Sequence, residues 1–529
     1  MQNSARRGLY FISYITFFFI VAGMTSCVGV NDDQLSGRSF YIHEDGVDTN
    51  VGTEKSPWRT IAKLNEVDFE PGDTLHFQGG GTFAGTLQLD SIDSGNESLF
   101  VVLTSYGEGK ASIRGGNEMA IILNQANYVS VQRLHLVGSG RKEGNTANGM
   151  EVRNSVHIVI DSLEIEGFQK SGLWVNTSSH VQVNRVHAHE NGAAGISISG
   201  SHNKEGCREI YVSNCLAENN PGDPTNLTNH SGNGIIAGNC RKVTIEYCAA
   251  TNNGWDMPRI GNGPVGIWAY EADSLIIQHC VSYRNKTSKG GEDGGGFDLD
   301  GGMTNSIIQY CLSYENDGSG FGIFQYNEAS PWKNNIIRFN ISENDGLIST
   351  AHAGIYIWNG SKDENQFTDC FIYNNVIYNA PGTAIRFAED SRRKAFFYYN
   401  NIFVAKDELL KGLSVNDTFL GNNWWSLTGG GFNINGVKNF NRWIEQTGQE
   451  RRSGEIKGMN TNPYSGFENY DVGLITTPLE LTSFSKYKLR QNSLLRAKGV
   501  DLNATFGIET GSKDFNQNLA PAIGIGASF

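Results

Sequence analysis

The chain has 529 residues and a formal net charge of −13, from 42 basic and 55 acidic residues. This acidic balance argues against nucleic acid and against an anionic membrane surface as partners. Glycine occurs 64 times, and this composition favours short strands between turns over bundles of helices. The sequence contains no P-loop, dinucleotide-binding or zinc motif.

The first 27 residues have the pattern of a targeting segment. Two arginines precede an apolar run over residues 9–22, which is short for a membrane span. Gly23-Met-Thr-Ser-Cys27 resembles a bacterial lipobox, which implies diacylation of Cys27, and Asn31-Asp-Asp33 resembles the surface-export signal of some Gram-negative lipoproteins. We expect a signal peptide over 1–27, a linker over 28–39, and a surface-exposed outer-membrane lipoprotein that contacts the membrane only through its lipid. A plain secretory peptide with an incidental cysteine is the alternative.

Residues 40–74 predict a strand, a short amphipathic helix and a second strand. The segments concerned are Phe40-Tyr-Ile-His-Glu-Asp-Gly46, Pro57-Trp58-Arg-Thr-Ile-Ala-Lys-Leu64 and Pro71-Gly-Asp-Thr74. Such an element would cover the open end of a hydrophobic cylinder, as the terminal unit of a repeat protein must.

From residue 149 onward, one short pattern recurs: a small residue followed by an alternating strand. The pattern starts at Gly149, Gly172, Gly195, Gly234, Gly266, Gly296, Gly320, Gly354 and Ala384. A minimum period of about 23 residues leaves room for three strands and three turns in each coil of a solenoid. The longer intervals predict inserted loops over 221–233, 252–265, 285–295 and 344–353. Because they share one position in the coil, stacking should place them side by side as walls.

Four cysteines recur at nearly constant spacing after a strand. They are Cys215, Cys248, Cys280 and Cys311, and the same column continues as Asn340, Asn375 and Asn401. Stacked identical side chains inside successive coils are a packing device. No pair has the spacing of a redox or metal motif, so we expect free, buried thiols in one column.

The segment 266–389 contains five aligned strand segments. They are Gly266-Ile-Trp-Ala-Tyr-Glu271, Gly296-Phe-Asp-Leu-Asp-Gly301, Gly320-Phe-Gly-Ile-Phe-Gln325, Gly354-Ile-Tyr-Ile-Trp-Asn359 and Ala384-Ile-Arg-Phe-Ala-Glu389. Positions two and four are apolar, so positions three and five should face outward. That outer face would carry Trp268, Tyr270, Asp298, Asp300, Phe324, Tyr356, Trp358 and Arg386. Aromatic rings around two carboxylates indicate a sugar-binding groove.

These features resemble the right-handed parallel β-helix of the pectate-lyase-like superfamily. The resemblance extends to closing segments such as Phe419-Leu-Gly-Asn-Asn-Trp-Trp425 and Ala520-Pro-Ala-Ile-Gly524. It implies an all-β solenoid with an N-terminal cap over 40–405 and a C-terminal closing segment over 406–529. The fold hosts lyases, hydrolases, epimerases and non-catalytic adhesins, so it does not decide the reaction.

The chemistry is expected at Asp298 and Asp300, which lie at i and i+2 on one strand face. Hydrolysis of a glycoside needs one protonated and one ionised carboxyl group, and neighbouring acids separate their pKa values for that purpose. Asp293, Glu292 and Glu271 could complete the acidic set. Further hydrogen bonds to the sugar are expected from Tyr270, Glu271, Gln325, Asn359 and Arg386.

Two other functions are consistent with the same residues. A polysaccharide lyase or uronan epimerase, with calcium on the acidic coil, would need a base that takes the C5 proton. The related lyase pattern has a lysine on the next coil, where this sequence has Gly322, and the substitutes are Lys286, Lys289, Lys333, Arg386 and His352. A non-catalytic carbohydrate-binding β-helix is the second alternative. We expect a monomeric glycoside hydrolase acting on a polysaccharide, with no required cofactor.

Overall fold

The computed structural model describes residues 37–201, 204–348, 353–412 and 416–529. The targeting segment with Cys27, and the candidate base His352, lie outside the described residues. Within them, no helix is both long enough and apolar enough to cross a membrane.

The described chain is a stack of coils, each built from three short strands that pair in parallel with the same strands of the next coil. This confirms the parallel β-helix. The first and second strands of the coils form one 25-stranded sheet, and the third strands form a separate 13-stranded sheet.

The strands fall into three groups by their place in the coil. The first strands are β4 (Leu87–Leu89), β7 (Ile121–Asn124), β10 (Met150–Arg153), β13 (Ser171–Asn176), β16 (Ala194–Ser199), β21 (Val265–Asp273), β24 (Gly295–Leu299), β27 (Phe321–Gln325), β30 (Ala353–Asn359), β33 (Thr383–Phe387) and β36 (Leu410–Lys411). The second strands are β1 (Ser39–Ile42), β2 (Thr74–Gln78), β5 (Val101–Tyr106), β8 (Val129–Gln132), β11 (Val156–Asp161), β14 (Ser179–Asn184), β17 (Cys207–Ser213), β22 (Ile276–Gln278), β25 (Ile307–Gln309), β28 (Trp332–Arg338), β31 (Phe367–Tyr373), β34 (Lys394–Tyr399) and β37 (Asp417–Leu420). The long strand β19 (Asn233–Glu246) supplies both the first and the second strand of its coil.

The third strands are β3 (Thr82–Ala84), β6 (Ala111–Gly116), β9 (Leu134–Gly138), β12 (Glu164–Glu166), β15 (His187–His189), β18 (Leu216–Glu218), β20 (Ala249–Thr251), β23 (Val281–Tyr283), β26 (Leu312–Tyr314), β29 (Ile341–Glu343), β32 (Val376–Asn379), β35 (Ile402–Ala405) and β38 (Asn423–Ser426). Outside the coils lie the hairpin β39 (Arg451–Arg452) and β40 (Glu455–Ile456), and the helices α1 (Ile61–Leu64), α2 (Phe440–Thr447) and α3 (Leu502–Phe506). Short 3₁₀ turns occur at Glu364–Gln366, Gly429–Gly431, Tyr464–Gly466, Pro478–Ser483 and Leu494–Arg496.

The inward and outward faces of the first strands follow the sequence prediction. In register, Ile267 pairs with Phe297, Phe297 with Phe321, and Phe321 with Ile355. These side chains are buried in one core that runs through the stack. The inserted loops all connect a third strand to the following first strand, so they flank the outer face of the first strands, as expected.

The cysteine column is confirmed as a packing device. All four thiols are free and buried, and each Sγ donates to the backbone carbonyl two residues before it. After Cys311 the column consists of asparagines, and the Cys311 amide donates to Asn340 Oδ1 at 2.9 Å. The column continues one residue further than expected, to Asn422.

A second ladder follows the third strands, and it ends in an acid. Asn191, Asn220, Asn253, Asn285 and Asn316 each donate to the next member of the column. The last acceptor is Asp345, a fully buried carboxyl group that also accepts from Ser342 Oγ at 2.7 Å. Burial raises the pKa of Asp345 to about 7.

Asp345→Asn should make the protein more stable at pH 8 and leave its stability nearly unchanged at pH 4. The pKa of Asp345 is raised in the folded state, so its contribution to stability is complete below the usual value near 3.8 and is lost as pH rises through about 7. The amide removes that loss, which is about 4 kcal/mol at pH 8. Chemical unfolding of both proteins at the two pH values measures the difference. A difference that is the same at both values would contradict the assignment.

Both ends of the stack are covered, and the coils extend further than expected. Helix α1 lies beside β4, with Ile61 and Leu64 buried in the core. At the other end α2 buries Trp443 and Ile444. Strands β36, β37 and β38 still pair in register with the preceding coil, so the stack runs to Ser426, past the limit of 405 drawn from the sequence.

The segment after α2 packs on the third-strand sheet of the later coils. A second hydrophobic cluster joins Tyr314 and Tyr378 of that sheet to Phe467 and Tyr487 of the segment. Lys486 Nζ also pairs with Glu343 at 2.8 Å. The third strands of the earlier coils lie outside this cluster.

Candidate functional site

The predicted groove strands lie side by side in the predicted register. Asp298 pairs across the sheet with Trp268 on one side and with Gly322 on the other. Gly322 pairs with Tyr356, and Tyr356 with Arg386. The third positions of the five segments therefore form one outward column.

Asp298 is enclosed although it faces outward. Only 3% of the residue is exposed, and its Oδ1 atom has no hydrogen-bond partner in the described part of the chain. The ring of Phe324 lies over Gly322, where an added Cβ would come within 2.8 Å of the ring and 3.0 Å of Asp298 Oδ1. The glycine therefore allows the aromatic ring to approach the carboxyl group. Burial, with the nearby charges of Asp300 and Asp293, raises the pKa of Asp298 well above its usual range.

Asp300 is brought to the same place, but from a turn. The strand β24 ends at Leu299, one residue earlier than the sequence predicted, because the Asp300 amide donates to Ala269 O at 2.8 Å as the chain turns. The side chain accepts from the Gly301 amide at 2.7 Å. Burial raises the pKa of Asp300 to about 7 even though that hydrogen bond lowers it.

A third carboxyl group stands next to this pair. Asp293, in the loop before β24, accepts from the Gly263 amide at 2.8 Å, and burial raises its pKa to about 6. The charge of Asp293 in turn raises the pKa of both Asp298 and Asp300. The site thus holds carboxyl groups that exchange protons near neutral pH, which is the property expected of a general acid and base.

Trp268 does not contact the groove opening, contrary to the sequence prediction. It is buried beneath the loop over 221–233, and its Nε1 donates to Asn233 Oδ1 at 2.9 Å. The ring of His230 lies edge-on with centroids 4.9 Å apart, and burial lowers the pKa of His230 to about 4. Trp268 therefore supports the loop wall, and a sugar ring cannot reach it.

Gln325 and Glu271 are also occupied by the protein. Gln325 is fully buried; its Oε1 accepts from the Gly302 amide and its Nε2 donates to Ser330 O. Glu271 accepts from the Ser330 amide at 2.7 Å. These two side chains hold the loop between β27 and β28. That they bind substrate stays a prediction, and their hydrogen bonds within the protein do not support it. Asn359 is likewise buried and donates to the carbonyls of Asp363 and Arg392.

The remaining predicted side chains lie where a ligand could reach them. Trp358 is 38% exposed, and the rings of Tyr356 and Trp358 meet the ring of Phe324 edge-on, with centroid distances of 5.6 Å and 6.4 Å. Tyr270 and Arg386 are half-buried. An aromatic surface therefore begins immediately beside Asp298 and continues over the next two coils.

A further residue near the site was not anticipated from the sequence. Lys204, in the loop before β17, donates to Thr304 Oγ1 at 3.0 Å. Burial lowers the pKa of Lys204, although the negative charges of Glu271 and Asp273 act to raise it. It comes from a coil three turns before that of Asp298, and no motif marks it.

The acidic residues do not form a preassembled metal site. Among the described residues, the one group of at least three metal-ligating side chains with ligand atoms within 4.8 Å of one another is Glu164, His187 and His189. Asp293, Asp298 and Asp300 are not gathered to that degree. Calcium would therefore have to draw these carboxylates together on binding.

The coil geometry defines a parallel β-helix with an acidic pair at the end of the first strand β24. The family model for the Pel9A-like right-handed β-helix region matches residues 40–353. The chain belongs to that family, which also gives the coils their right-handed sense.

Comparison with solved structures gives low identities. A GH136 lacto-N-biosidase from Eubacterium ramulus is 15% identical over 71% of this chain and 68% of its own, with a TM-score of 0.49. The pectate lyase Pel9A is 15% identical over 93% and 97%, with a TM-score of 0.47. The A-module of the mannuronan C-5 epimerase AlgE6 from Azotobacter vinelandii is 13% identical over 66% and 90%, with a TM-score of 0.49. No curated protein matches the sequence.

Proposed function

We propose that the chain is a carbohydrate-active enzyme, and specifically a glycoside hydrolase that uses Asp298 and Asp300 on a polysaccharide. The observation that carries this proposal is the pair itself: two neighbouring carboxyl groups at the end of β24, both with raised pKa values, beside an aromatic surface. A protonated Asp298 can give its proton to the glycosidic oxygen as the C–O bond breaks. An ionised Asp300 can take a proton from the attacking water, or attack the anomeric carbon itself.

The spacing of the pair leaves the stereochemistry open. Residues at i and i+2 of an extended chain have Cα atoms about 6.5–7 Å apart, and because Asp300 lies in the turn after β24, that spacing is an upper value for this pair. Inverting hydrolases hold their carboxyl groups about 6.5–9.5 Å apart and retaining ones about 5–5.5 Å, and side-chain rotamers can reach either range.

A calcium-assisted polysaccharide lyase is the second candidate. The observation that favours it is the third carboxyl group, Asp293, because three neighbouring carboxylates suit a divalent ion. The position opposite Asp298 on the next coil is Gly322, so the lysine base of the related pattern is missing. The hydrolase needs no such base, and we place it first.

A screen on plant, algal and host polysaccharides separates these functions. We expect new reducing ends without the ultraviolet absorbance of a new double bond, unchanged by a chelator. Reducing ends together with absorbance would select the lyase, and loss in chelator with recovery in calcium would support its metal. Glycan binding with neither signal would identify a non-catalytic protein.

Localisation is proposed from the sequence alone: an outer-membrane lipoprotein, exposed at the surface, held by a lipid on Cys27. Cys27→Ala should release the protein from the membrane fraction and leave activity on soluble glycans unchanged, because the groove residues lie more than 200 positions away. Fractionation of cells that express each form measures this. Equal membrane association of both forms would count against lipidation.

A further inference from the structure

Histidines and glutamates are concentrated on the outer face of the third-strand sheet in the earlier coils. In register, His135 pairs with Glu164 and Glu164 with His187 in one column. The adjacent column carries Glu166, His189 and Glu218. This sheet is separate from the one that contains the groove strands, so the cluster plays no part in the proposed hydrolysis.

Three members of the cluster converge. Glu164, His187 and His189 each offer one ligand atom, and these atoms lie within 4.8 Å of one another. His187 and His189 are at i and i+2 of β15, which puts both rings on one face, 4.4 Å apart. Glu164 reaches them from the neighbouring coil.

One nitrogen in the cluster lacks a partner. His189 Nε2 is shielded from solvent and makes no hydrogen bond in the described part of the chain. Its nearest acidic neighbour is Glu164 Oε1, 3.6 Å away. That distance is too long for a hydrogen bond, whereas two ligands at about 2.0–2.1 Å from one tetrahedral zinc ion lie about 3.3–3.5 Å apart.

The surrounding residues suit the outer shell of such a site. His187 Nε2 hydrogen-bonds Glu218 Oε1 at 2.8 Å, and His135 Nε2 hydrogen-bonds Glu166 Oε1 at 3.1 Å. Carboxylates in this position orient metal-ligating imidazoles.

We infer that Glu164, His187 and His189 bind one divalent transition-metal ion, zinc in the first instance, and thereby clip together the neighbouring strands β12 and β15. Two imidazoles and a carboxylate suit zinc, with water as the fourth ligand. Calcium and magnesium, which prefer oxygen ligands, would bind poorly.

The test uses the purified full chain, stripped with a chelator and titrated with Zn²⁺ by calorimetry and with Co²⁺ by its visible absorption. We expect one equivalent of Zn²⁺, displacement of Co²⁺ by Zn²⁺, and a rise in the unfolding temperature with Zn²⁺. His189→Ala and Glu164→Gln should each weaken binding by at least about 10-fold and abolish the rise. Glu164→Gln nearly preserves the shape of the side chain, so it distinguishes lost binding from lost folding.

Two control variants locate the effect. His180→Ala removes a histidine of the second-strand face that pairs with Glu209, and Asp298→Asn alters the groove; both should bind Zn²⁺ as the parent does. If Zn²⁺ does not bind stoichiometrically, the inference is wrong and the cluster is a ladder of His–Glu ion pairs. Equal binding by parent and His189→Ala would also overturn it, because the ion would then be held elsewhere.

Discussion

Replacing Asp298 or Asp300 by asparagine should lower kcat by about 10²- to 10⁴-fold, the usual contribution of a general acid or base. The amide keeps the size of the side chain but can neither give up nor take the proton. Folding should survive, because Asp298 Oδ1 has no hydrogen bond to lose in the described part of the chain and the single bond of Asp300 is to the adjacent Gly301 amide. The substitution also removes a carboxyl group whose ionisation is unfavourable in this buried site.

The pH profile provides an independent check on the same pair. The two acids interact, so their ionisations belong to the pair rather than to either residue alone. Activity of the parent should rise as pH increases through about 7, where the Asp300 carboxyl group loses its proton. It should fall at higher pH, once Asp298 is ionised as well. Asp300→Asn should remove the rising limb from whatever activity remains.

Two further variants separate chemistry from binding. Trp358→Ala should raise KM with little change in kcat, since an exposed ring contributes contact area and no proton. Glu209→Gln, at an exposed ion pair with Lys242 on the second strands, should leave both constants unchanged. Soluble Asp298→Asn and Asp300→Asn enzymes with parental kcat would show that the reaction occurs elsewhere; Glu271 and Glu389 would then be tested.

Breaking the buried ion pair between Arg393 and Asp417 should have the largest effect on stability. The two side chains are 1% and 0% exposed, and Arg393 Nε donates to Asp417 Oδ1 at 2.8 Å. The guanidinium also lies 3.6 Å from the ring centroid of Phe387. Asp417→Ala would leave a buried cation without its counter-charge, which costs about 3–5 kcal/mol.

Urea unfolding of parent and variant measures this loss. Asp161→Ala, which removes the partner of the largely exposed Arg185, is the matched control and should cost no more than about 1 kcal/mol. The double change Arg393→Met with Asp417→Leu should recover much of the stability, because it removes both charges together. An Asp417→Ala protein as stable as the Asp161→Ala control would contradict this account.

The periodic part of the molecule could be predicted from the sequence. Alternation in the segments from Gly266 to Glu389 gave the buried and outward faces, because the period of a strand is two and one register satisfies all the apolar positions. The thiol column was predictable for the same reason: residues such as Cys248 and Cys280 recur at one place in the coil. These inferences needed local sequence only.

The side chains that the prediction misplaced depend on loops. Trp268 is outward by alternation and is buried because Asn233 and His230 reach it from the preceding loop; alternation does not show what covers an outward residue. Gln325 is at the sixth position of its segment, which is inward by alternation, so its burial follows from the pattern and its contact with Ser330 does not. The raised pKa of Asp298 depends on burial and on the charges of Asp300 and Asp293, and the close approach of the Phe324 ring at Gly322 is not encoded in the alternation.

The two end helices have a consequence for how molecules meet one another. A parallel β-helix has no natural last strand: the coil at each end presents a row of backbone N–H and C=O groups that can pair with another chain. Helix α1 covers the core near one end with Ile61 and Leu64, and α2 covers it near the other with Trp443 and Ile444. The caps thus limit the stack of coils to one chain. Without them, the end coils of separate molecules could stack on one another and form fibres.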